Sequence, residues 1–442
     1  PHDADPLPRV LHLDHAHRHP HDLGRPASRS TVPRGRTVPG MTHDPGTARA
    51  SILVRVSGPD RPGITTDLMT VLDLVDAEVQ DLEQVLVRGH LTLAAAVTTD
   101  APDELAAVLD RFAAERCLQV ELDEVPATPI EKGRIDAVTV LGHELEVALS
   151  PAELGAVAAG VAAAGGNIDR IVRLARYPVY AYEFRVTGAD PIALRRHVAE
   201  ASAAHGLDVA IQPEGLGRRA KRLVVLDVDS TLIQDEVIEL LAEEAGVLGP
   251  VRDITTRAML GEVDFADALR ERVQLLEGLE VEALERARRR MRLTPGARTF
   301  VRTLKRLGYA VGIVSGGFTH FTDRLARELD LDHAVANELE VADGKLTGRV
   351  LGPVVDRRRK AELLREFAAS ENIPLSQTVA VGDGANDLDM LATAGLGIAF
   401  NAKPVVQEAA DTTVNVPYLD AILFVLGVTR DEVEAADAVV DD

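Results

Sequence analysis

A short apolar run, Leu-Val-Val-Leu at 223–226, is followed directly by Asp-Val-Asp-Ser-Thr at 227–231. Such runs are typical of buried strands in parallel sheets, so Asp227 and Asp229 are expected at the carboxyl end of a strand, where open α/β sheets bind ligands. Two such carboxylates repel each other unless a cation lies between them. This indicates a Mg2+ site in which one carboxylate attacks a phosphoryl group and the other transfers a proton. Taken alone, the motif is more often an acidic turn.

Three further segments, in order along the chain, favour the phosphoryl-transfer interpretation. Ile-Val-Ser-Gly-Gly-Phe at 313–318 is a second strand that ends in the Ser315 hydroxyl and two glycines, whose N–H groups can approach an anion closely. Lys360 ends a basic run before a helical pattern at 361–369. A third strand at 379–382 leads into the acidic, glycine-rich loop Asp-Gly-Ala-Asn-Asp. Together the four segments provide attack, charge neutralisation and metal ligation.

These four motifs resemble those of the haloacid dehalogenase superfamily of aspartate-nucleophile phosphatases. An aspartate two residues after the nucleophile, here Asp229, separates the phosphatases from relatives, since dehalogenases lack it and P-type ATPases carry Thr there. Over about 222–427 the chain is most similar to the phosphoserine phosphatase family. The expected fold class is α/β, a doubly wound parallel sheet with a helical cap, preceded by two ferredoxin-like domains.

The resemblance implies a role for each motif residue. Asp227 would be the nucleophile, and Asp229 would be the general acid and base. The phosphate oxygens would be neutralised by Ser315, the Gly316 N–H and Lys360.

The resemblance also implies the metal and its surroundings. Mg2+ would be held by the carboxylates of Asp227 and Asp383 and by the backbone carbonyl of Asp229. Asn386 would orient the phosphate. Asp387 would position both the metal-bound waters and Lys360.

Residues 232–293, between the first two motifs, have a helical pattern and are expected to form a cap over the active site. Phosphoserine carries an ammonium and a carboxylate besides its phosphate. By position, the resemblance assigns Glu236 to the ammonium and Arg272 to a bidentate contact with the carboxylate. It assigns Met259 and Phe265 to water exclusion. Any cap charge considered alone is more often a surface charge, so these assignments depend on the matched spacing.

Two similar units precede the catalytic segment, and each has the order βαββαβ. Gly-Pro-Asp-Arg-Pro-Gly at 58–63 in the first unit resembles the ligand loop of ACT domains, modules that bind amino acids at their interfaces. Its glycines permit a tight turn before a helix N-terminus that can take a carboxylate. We therefore expect Asp60, Gly63 and, in the second unit, Gly142 to contact an effector. The second unit has Gly-His-Glu in place of the turn, and a repeat used only for dimerisation stays open.

Composition excludes several classes of function. The net charge of −22 argues against nucleic acid and anionic membranes as partners, because both are polyanions. The single cysteine, Cys117, rules out an internal disulfide. We find no apolar run long enough to span a bilayer and no signal-peptide h-region. We therefore expect a cytoplasmic protein.

The expected domain order covers all 442 residues. Residues 1–50 are rich in Pro, Arg and His, and a disordered tail is favoured over a histidine metal tract. Met41 lies just before the first foldable segment, so 1–40 is interpreted as an upstream extension without a catalytic role. The remaining domains are ACT domains at 51–126 and 135–213, a solvated linker at 214–222, and a phosphatase domain at 223–442 with its cap at 232–293.

The sequence thus predicts a Mg2+-dependent enzyme that hydrolyses O-phospho-L-serine to L-serine and phosphate, the final step of serine biosynthesis. L-serine is the expected feedback effector, and a homodimer through the ACT domains is the expected assembly. Two alternatives stay open. One is a related phosphatase or phosphotransferase acting on another small phosphomonoester, and the other is a non-enzymatic amino-acid sensor. The complete motif set argues against the sensor.

Overall fold

The computed structural model describes residues 49–126, 133–260 and 262–438. The tail expected at 1–50 lies outside the described residues except for its last two positions. The described residues form two compact units, one that ends at residue 126 and one that begins at residue 133. Within the described ranges, no helix combines the length and the apolar character needed to cross a membrane.

The first unit is a four-stranded antiparallel sheet in the order β2-β3-β1-β4, packed against two helices. Side chains along β3 alternate between buried and more exposed, because one face of the sheet lies against the helices. The edge strand β2 is exposed at every residue. The elements are β1 (Ala50–Pro59), α1 (Ile64–Asp73), β2 (Glu78–Val87), β3 (His90–Thr99), α2 (Pro102–Arg116) and β4 (Gln119–Glu124). This is the predicted βαββαβ order.

The second unit opens with a similar sheet in the order β6-β7-β5-β8. Its two helices approach each other closely at Gly160, which faces the backbone of His197. A Cβ added to Gly160 would lie 3.1 Å from the His197 carbonyl oxygen. A larger residue at that point would separate the helices. The elements are β5 (Ile135–Leu145), α3 (Pro151–Ala163), β6 (Asn167–Ala175), β7 (Val179–Thr187), α4 (Pro191–His205) and β8 (Asp208–Pro213).

The rest of the second unit is built on a seven-stranded sheet in the order β12-β11-β10-β9-β13-β14-β15. The central strand β9 is wholly buried and pairs in parallel with β10 and β13. Alternate residues of β9 enter the apolar cores on the two faces of the sheet, which confirms the doubly wound arrangement. The strands are β9 (Leu223–Leu226), β10 (Ala310–Phe318), β11 (His333–Ala342), β12 (Lys345–Leu351), β13 (Thr378–Gly382), β14 (Gly397–Phe400) and β15 (Thr412–Val414).

Helices cover both faces of this sheet, and four of them, α6 to α9, form the insertion predicted as a cap. The helices are α5 (Leu216–Arg219), α6 (Val237–Ala245), α7 (Leu248–Met259), α8 (Phe265–Gln274), α9 (Glu282–Arg290), α10 (Ala297–Arg306), α11 (Thr319–Leu329), α12 (Arg357–Ser370), α13 (Leu388–Thr393), α14 (Pro404–Ala409), α15 (Ile422–Val425) and α16 (Arg430–Ala438).

Two details correct the expectations from sequence. Strand β12 runs antiparallel to β11, so the alternation of parallel strands and helices is interrupted by a hairpin. Its turn is Asp343-Gly344, with φ of 50° and 75°, the conformation that Asp-Gly pairs favour between antiparallel strands. Helix α12 begins at Arg357, so Lys360 lies in its first turn and does not precede the helix.

The segment at 214–222 was expected to be a solvated hinge, and this is wrong for Arg218. Its side chain is 7% exposed and pairs with Glu183 of β7 and with Glu214. The nearby Gln212 donates its side-chain Nε2–H to the carbonyl of Val425 at 2.8 Å. The guanidinium is buried because a partner 35 residues earlier in the chain lies beside it. The second ACT-like sheet is thus joined to the large domain by buried polar contacts.

Candidate active site

The three strands that carry the sequence motifs are neighbours, so their carboxyl ends meet. The Asp227 N–H donates to the Val381 carbonyl at 2.9 Å, which ties the end of β9 to β13. Ser230 adopts a left-handed backbone (φ 58°) within the tight turn Val228–Leu232. Asp227, at the end of β9, is 3% exposed, and Ser315, in β10, is 1% exposed. The structure therefore brings the first, second and fourth motifs to one edge of the sheet.

Lys360 is a fully buried cation between two carboxylates. Its Nζ lies 2.7 Å from Asp227 Oδ1 and 2.7 Å from Asp387 Oδ1. Burial alone lowers the pKa of Lys360, but the two carboxylates raise it above its usual value, so the lysine is charged. The predicted contact between Lys360 and Asp387 is present.

Asp229 is held by donors from two elements. Its Oδ1 accepts the N–H of Val237 at 2.7 Å, and its Oδ2 accepts the Ser315 hydroxyl at 3.0 Å. Ser315 Oγ in turn accepts the N–H of Gly317 at 2.7 Å. Burial raises the pKa of Asp229, although these hydrogen bonds oppose the rise. A raised pKa makes this carboxyl group a better proton donor than an ordinary aspartate.

Carboxylate oxygens of Asp227, Asp383 and Asp387 all lie within 4.8 Å of one another. Burial, and after it the charge of Asp387, raises the pKa of Asp383 to about 6. The same causes raise the pKa of Asp227 well above its usual range. Thr231 Oγ1 donates to Asp383 Oδ1 at 3.2 Å and fixes one of these groups. A hard divalent cation with oxygen ligands would relieve this crowding, so the residues fit Mg2+.

A cavity of about 510 Å³ lies between the cap and this sheet edge. Most of the predicted site residues line it, including Glu236, Phe265, Arg272, Gly316 and Asn386. Residues that were not predicted also line it: Ile238, Glu239, Thr255, Ala258, Leu269, Gly317, Arg357, Gly384, Ala385 and Lys403. Lys403 could have been predicted from the sequence, because it follows the carboxyl end of another strand of the sheet, β14.

The cap supplies opposite charges to the cavity. Glu236 Oε1 accepts the Ser230 hydroxyl at 2.8 Å, and burial, with the charge of Asp229, raises the pKa of Glu236 to about 7. Arg272 is 8% exposed, and its Nη1 donates to Thr255 Oγ1 at 3.2 Å. The Phe265 ring lies close to Gly316, since a Cβ added to Gly316 would be 3.0 Å from Phe265 Cζ. The side chain of Met259, which was predicted to exclude water, lies outside the described part of the structure.

The predicted effector residues belong to both units. Gly63, with φ 98°, immediately precedes α1, whose N-terminus has no side-chain cap. Asp60 is exposed on the same loop, and its N–H donates to the Gly89 carbonyl at 2.9 Å. Gly142 lies in β5 at an irregularity of the ladder, beside His143, whose Nε2 is 3.2 Å from Asp208 Oδ1. The effector contacts stay a prediction.

Comparisons with known families agree with this architecture. Residues 224–392 match the family model described as haloacid dehalogenase-like hydrolase. Residues 50–123 and 136–212 each match an ACT domain. The fold and the site thus define a haloacid dehalogenase-like hydrolase preceded by two ACT domains, as the motifs predicted.

Comparison with similar proteins identifies the family within the haloacid dehalogenase-like hydrolases. The chain is 54% identical over 397 residues to a phosphoserine phosphatase of Streptomyces coelicolor, covering 89% of this chain and 96% of that one. It is 47% identical over 405 residues to the phosphoserine phosphatase SerB2 of Mycobacterium tuberculosis, covering 88% and 96%. The chain belongs to the phosphoserine phosphatase family.

Solved structures support the same fold. An unliganded crystal structure of a probable phosphoserine phosphatase from Vibrio cholerae matches with a TM-score of 0.54 and 37% identity, over 66% of this chain and 86% of that one. A haloacid dehalogenase family hydrolase from Salmonella enterica matches with a TM-score of 0.58 and 30% identity, over 66% and 98%.

Proposed function

We propose that the protein hydrolyses O-phospho-L-serine to L-serine and phosphate through a phosphoryl group carried on Asp227. The observation that carries this proposal is the cavity that joins Asp227 and its neighbours to a cap anion, Glu236, and a buried cap cation, Arg272. A phosphomonoester with an ammonium and a carboxylate matches those two charges.

The chemistry begins with attack of the Asp227 carboxylate on phosphorus, while Asp229 protonates the leaving serine oxygen. The raised pKa of Asp229 supports its role as the acid. Asp229 then takes a proton from the water that attacks the aspartyl phosphate, so phosphate leaves and both carboxylates return to their starting state. Lys360 is already 2.7 Å from Asp227, and with the Gly316 N–H it stabilises the charge on the phosphate oxygens. The Ser315 hydroxyl, which donates to Asp229 in this structure, turns to a phosphate oxygen when the substrate is bound.

The acidic cluster is the part of the site that would hold Mg2+. Asp227 and Asp383 supply carboxylates, the backbone carbonyl of Asp229 is the further ligand that family resemblance implies, and Asp387 holds Lys360. When bound, Mg2+ neutralises charge on the phosphoryl group. Asn386 lines the cavity, and we assign it to orienting the phosphate.

The cap residues set the choice of substrate. Arg272 can hold the carboxylate with two parallel hydrogen bonds, and Glu236 can pair with the ammonium. Phe265 lies against Gly316 and excludes water from the phosphate side, a role that we also assign to Met259.

Regulation and assembly form the second part of the proposal. ACT domains bind amino acids, and serine is the product, so we assign L-serine as an inhibitor acting near Asp60, Gly63 and Gly142. A homodimer through the ACT sheets is supported by β2, an edge strand with exposed Val79, Leu82 and Val85. The exposed free thiol of Cys117 is in keeping with a reducing cytoplasm.

Phosphate release from a panel of phosphomonoesters, with Mg2+ and after chelation, tests the function. The panel contains phosphoserine, phosphothreonine, phosphoethanolamine and glycerol phosphate. We expect phosphoserine to have the highest kcat/KM and turnover to require Mg2+. Preference for another ester would indicate a related phosphatase, and no turnover on any ester would favour a sensor.

A further inference from the structure

The ladder between β10 and β11 is interrupted at the second motif. Val314 pairs with Val335, and the next pair is Phe318 with Asn337, so four steps along β10 correspond to two along β11. The extra residues lie in the segment Ser315 to Gly317. A bulge of this kind leaves backbone groups without ladder partners and changes the direction of side chains.

The side chain of Asn337 occupies the place of the missing ladder contacts. It is 1% exposed, and its Nδ2–H donates to the Gly316 carbonyl at 2.9 Å. Its Oδ1 accepts the N–H of Val355 at 2.8 Å, on the segment that leads into α12 and Lys360. Because one partner is a carbonyl and the other an N–H, only one orientation of the amide satisfies both.

A directed chain of hydrogen bonds runs from this amide to Asp229. The Gly316 carbonyl that accepts from Asn337 belongs to the same peptide group as the Gly317 N–H. That N–H donates to Ser315 Oγ at 2.7 Å, and the Ser315 hydroxyl donates to Asp229 Oδ2 at 3.0 Å. Each bond in such a chain polarises the next, and each donor fixes the direction of the following one.

We propose that Asn337 is a positioning residue for phosphoryl transfer. It holds the peptide group of Gly316 and Gly317 in the orientation that directs the Ser315 hydroxyl at Asp229, the group that transfers the proton. The inference rests on the proposed phosphatase function. It predicts that a change at Asn337 acts on the chemical step while leaving the cap contacts to the substrate intact.

Asn337→Asp is the sharpest test, since it keeps the acceptor for Val355 and replaces the donor to Gly316 with a second acceptor. We expect kcat to fall by about tenfold or more, the scale of one buried hydrogen bond, with KM nearly unchanged. Gln212→Glu is the matched control, because Gln212 is also a buried amide that donates to a backbone carbonyl, outside the cavity. The control should lower Tm and leave kcat unchanged.

A double-mutant cycle with Ser315→Ala separates positioning from general destabilisation. Removing the Ser315 hydroxyl breaks the chain, so Asn337→Asp should cost much less in that background than in the wild type. Additive effects would overturn the proposal, as would a lowered Tm with unchanged kcat. If Asn337→Asp does not fold, Asn337→Ala is measured in the same cycle, with the same expected and contradicting outcomes.

The assays use whichever phosphomonoester the wild type hydrolyses best. A preference other than phosphoserine would therefore contradict the proposed substrate alone, while the cycle still tests Asn337.

Discussion

Three charged side chains at the end of β9 are almost completely withdrawn from water. Lys360 is fully buried and bridges Asp227 and Asp387 at 2.7 Å each. A buried charge is tolerated when it is paired, and removal of one partner leaves the others uncompensated. With Asp383 nearby, the group has more negative than positive charge. This excess of negative charge fits a bound cation.

Asp227→Asn should abolish turnover, because the amide cannot attack phosphorus. The fold should stay largely intact, because the amide has the same shape and Lys360 keeps its pairing with Asp387. We expect a loss of at least about ten-thousandfold in kcat, as when a central catalytic group is removed. Phosphate release and a thermal melt of the same preparation check this. Substantial residual activity in folded protein would exclude the covalent role of Asp227.

Arg272→Ala should reduce kcat/KM for phosphoserine far more than for phosphoethanolamine, which has no carboxylate. A lost charge-assisted bidentate contact is worth about 2–3 kcal/mol, or some thirtyfold to a hundredfold. Arg270→Ala is the matched control, since Arg270 lies on the same helix with its side chain 60% exposed. Equal losses on both substrates would make Arg272 structural.

At the scale of elements, the sequence predicts best where a local pattern has a local cause. Asp227 and Asp383 were placed at strand ends because each directly follows a short apolar run, and the structure has both there. Helix α1 begins at Ile64, directly after the predicted glycine loop. Their catalytic and effector roles stay predictions.

Features that depend on distant parts of the chain could not be predicted. Asn337 contacts Gly316 and Val355, which are 21 and 18 residues away, and nothing in its local sequence indicates a buried amide. The sequence predicts a solvated Arg218 because its partner Glu183, in β7, lies 35 residues earlier in the chain. The β11–β12 hairpin is different, since its Asp-Gly turn is a local signal that was missed.

The contact between β5 and β8 should make stability depend on pH. The hydrogen bond from His143 to Asp208 raises the pKa of the imidazole above its ordinary value of 6.5. A raised histidine pKa stabilises the folded state below the unfolded pKa, and this contribution is lost as pH rises through the folded pKa. Tm should therefore fall more between about pH 6 and pH 8 in the wild type than in His143→Gln. Parallel curves would show that this pair does not contribute.

On the scale of the whole molecule, the second ACT domain is joined to the seven-stranded sheet by partly buried polar contacts. Asp208 of β8 accepts the side-chain amide of Asn415 at 2.8 Å, and Asn415 Oδ1 accepts from Gln407 at 2.9 Å on α14. That helix follows Lys403, which lines the cavity. A change at the second ACT domain therefore has a structural route toward the active site.

Serine should inhibit through the ACT domains with a coupling of about 1–3 kcal/mol, or roughly 5-fold to 150-fold in affinity. Gly63→Ala should weaken inhibition while turnover without serine persists, since Gly63 has a left-handed backbone (φ 98°). Gly206→Ala is the control, as Gly206 also has positive φ and lies at the end of α4, away from the loops. Purely competitive inhibition that Gly63→Ala leaves unchanged would restrict the ACT domains to assembly.

The covalent step on Asp227 is the central claim, and a rapid-quench experiment tests it most directly. The wild-type enzyme with Mg2+ is mixed with phosphoserine, quenched in acid during turnover, and mapped by peptide mass spectrometry. We predict a phosphoryl group on Asp227 that hydroxylamine removes and that is absent from Asp227→Asn. Turnover with a phosphoryl group on another residue, or with none on the enzyme at any quench time, would contradict the account.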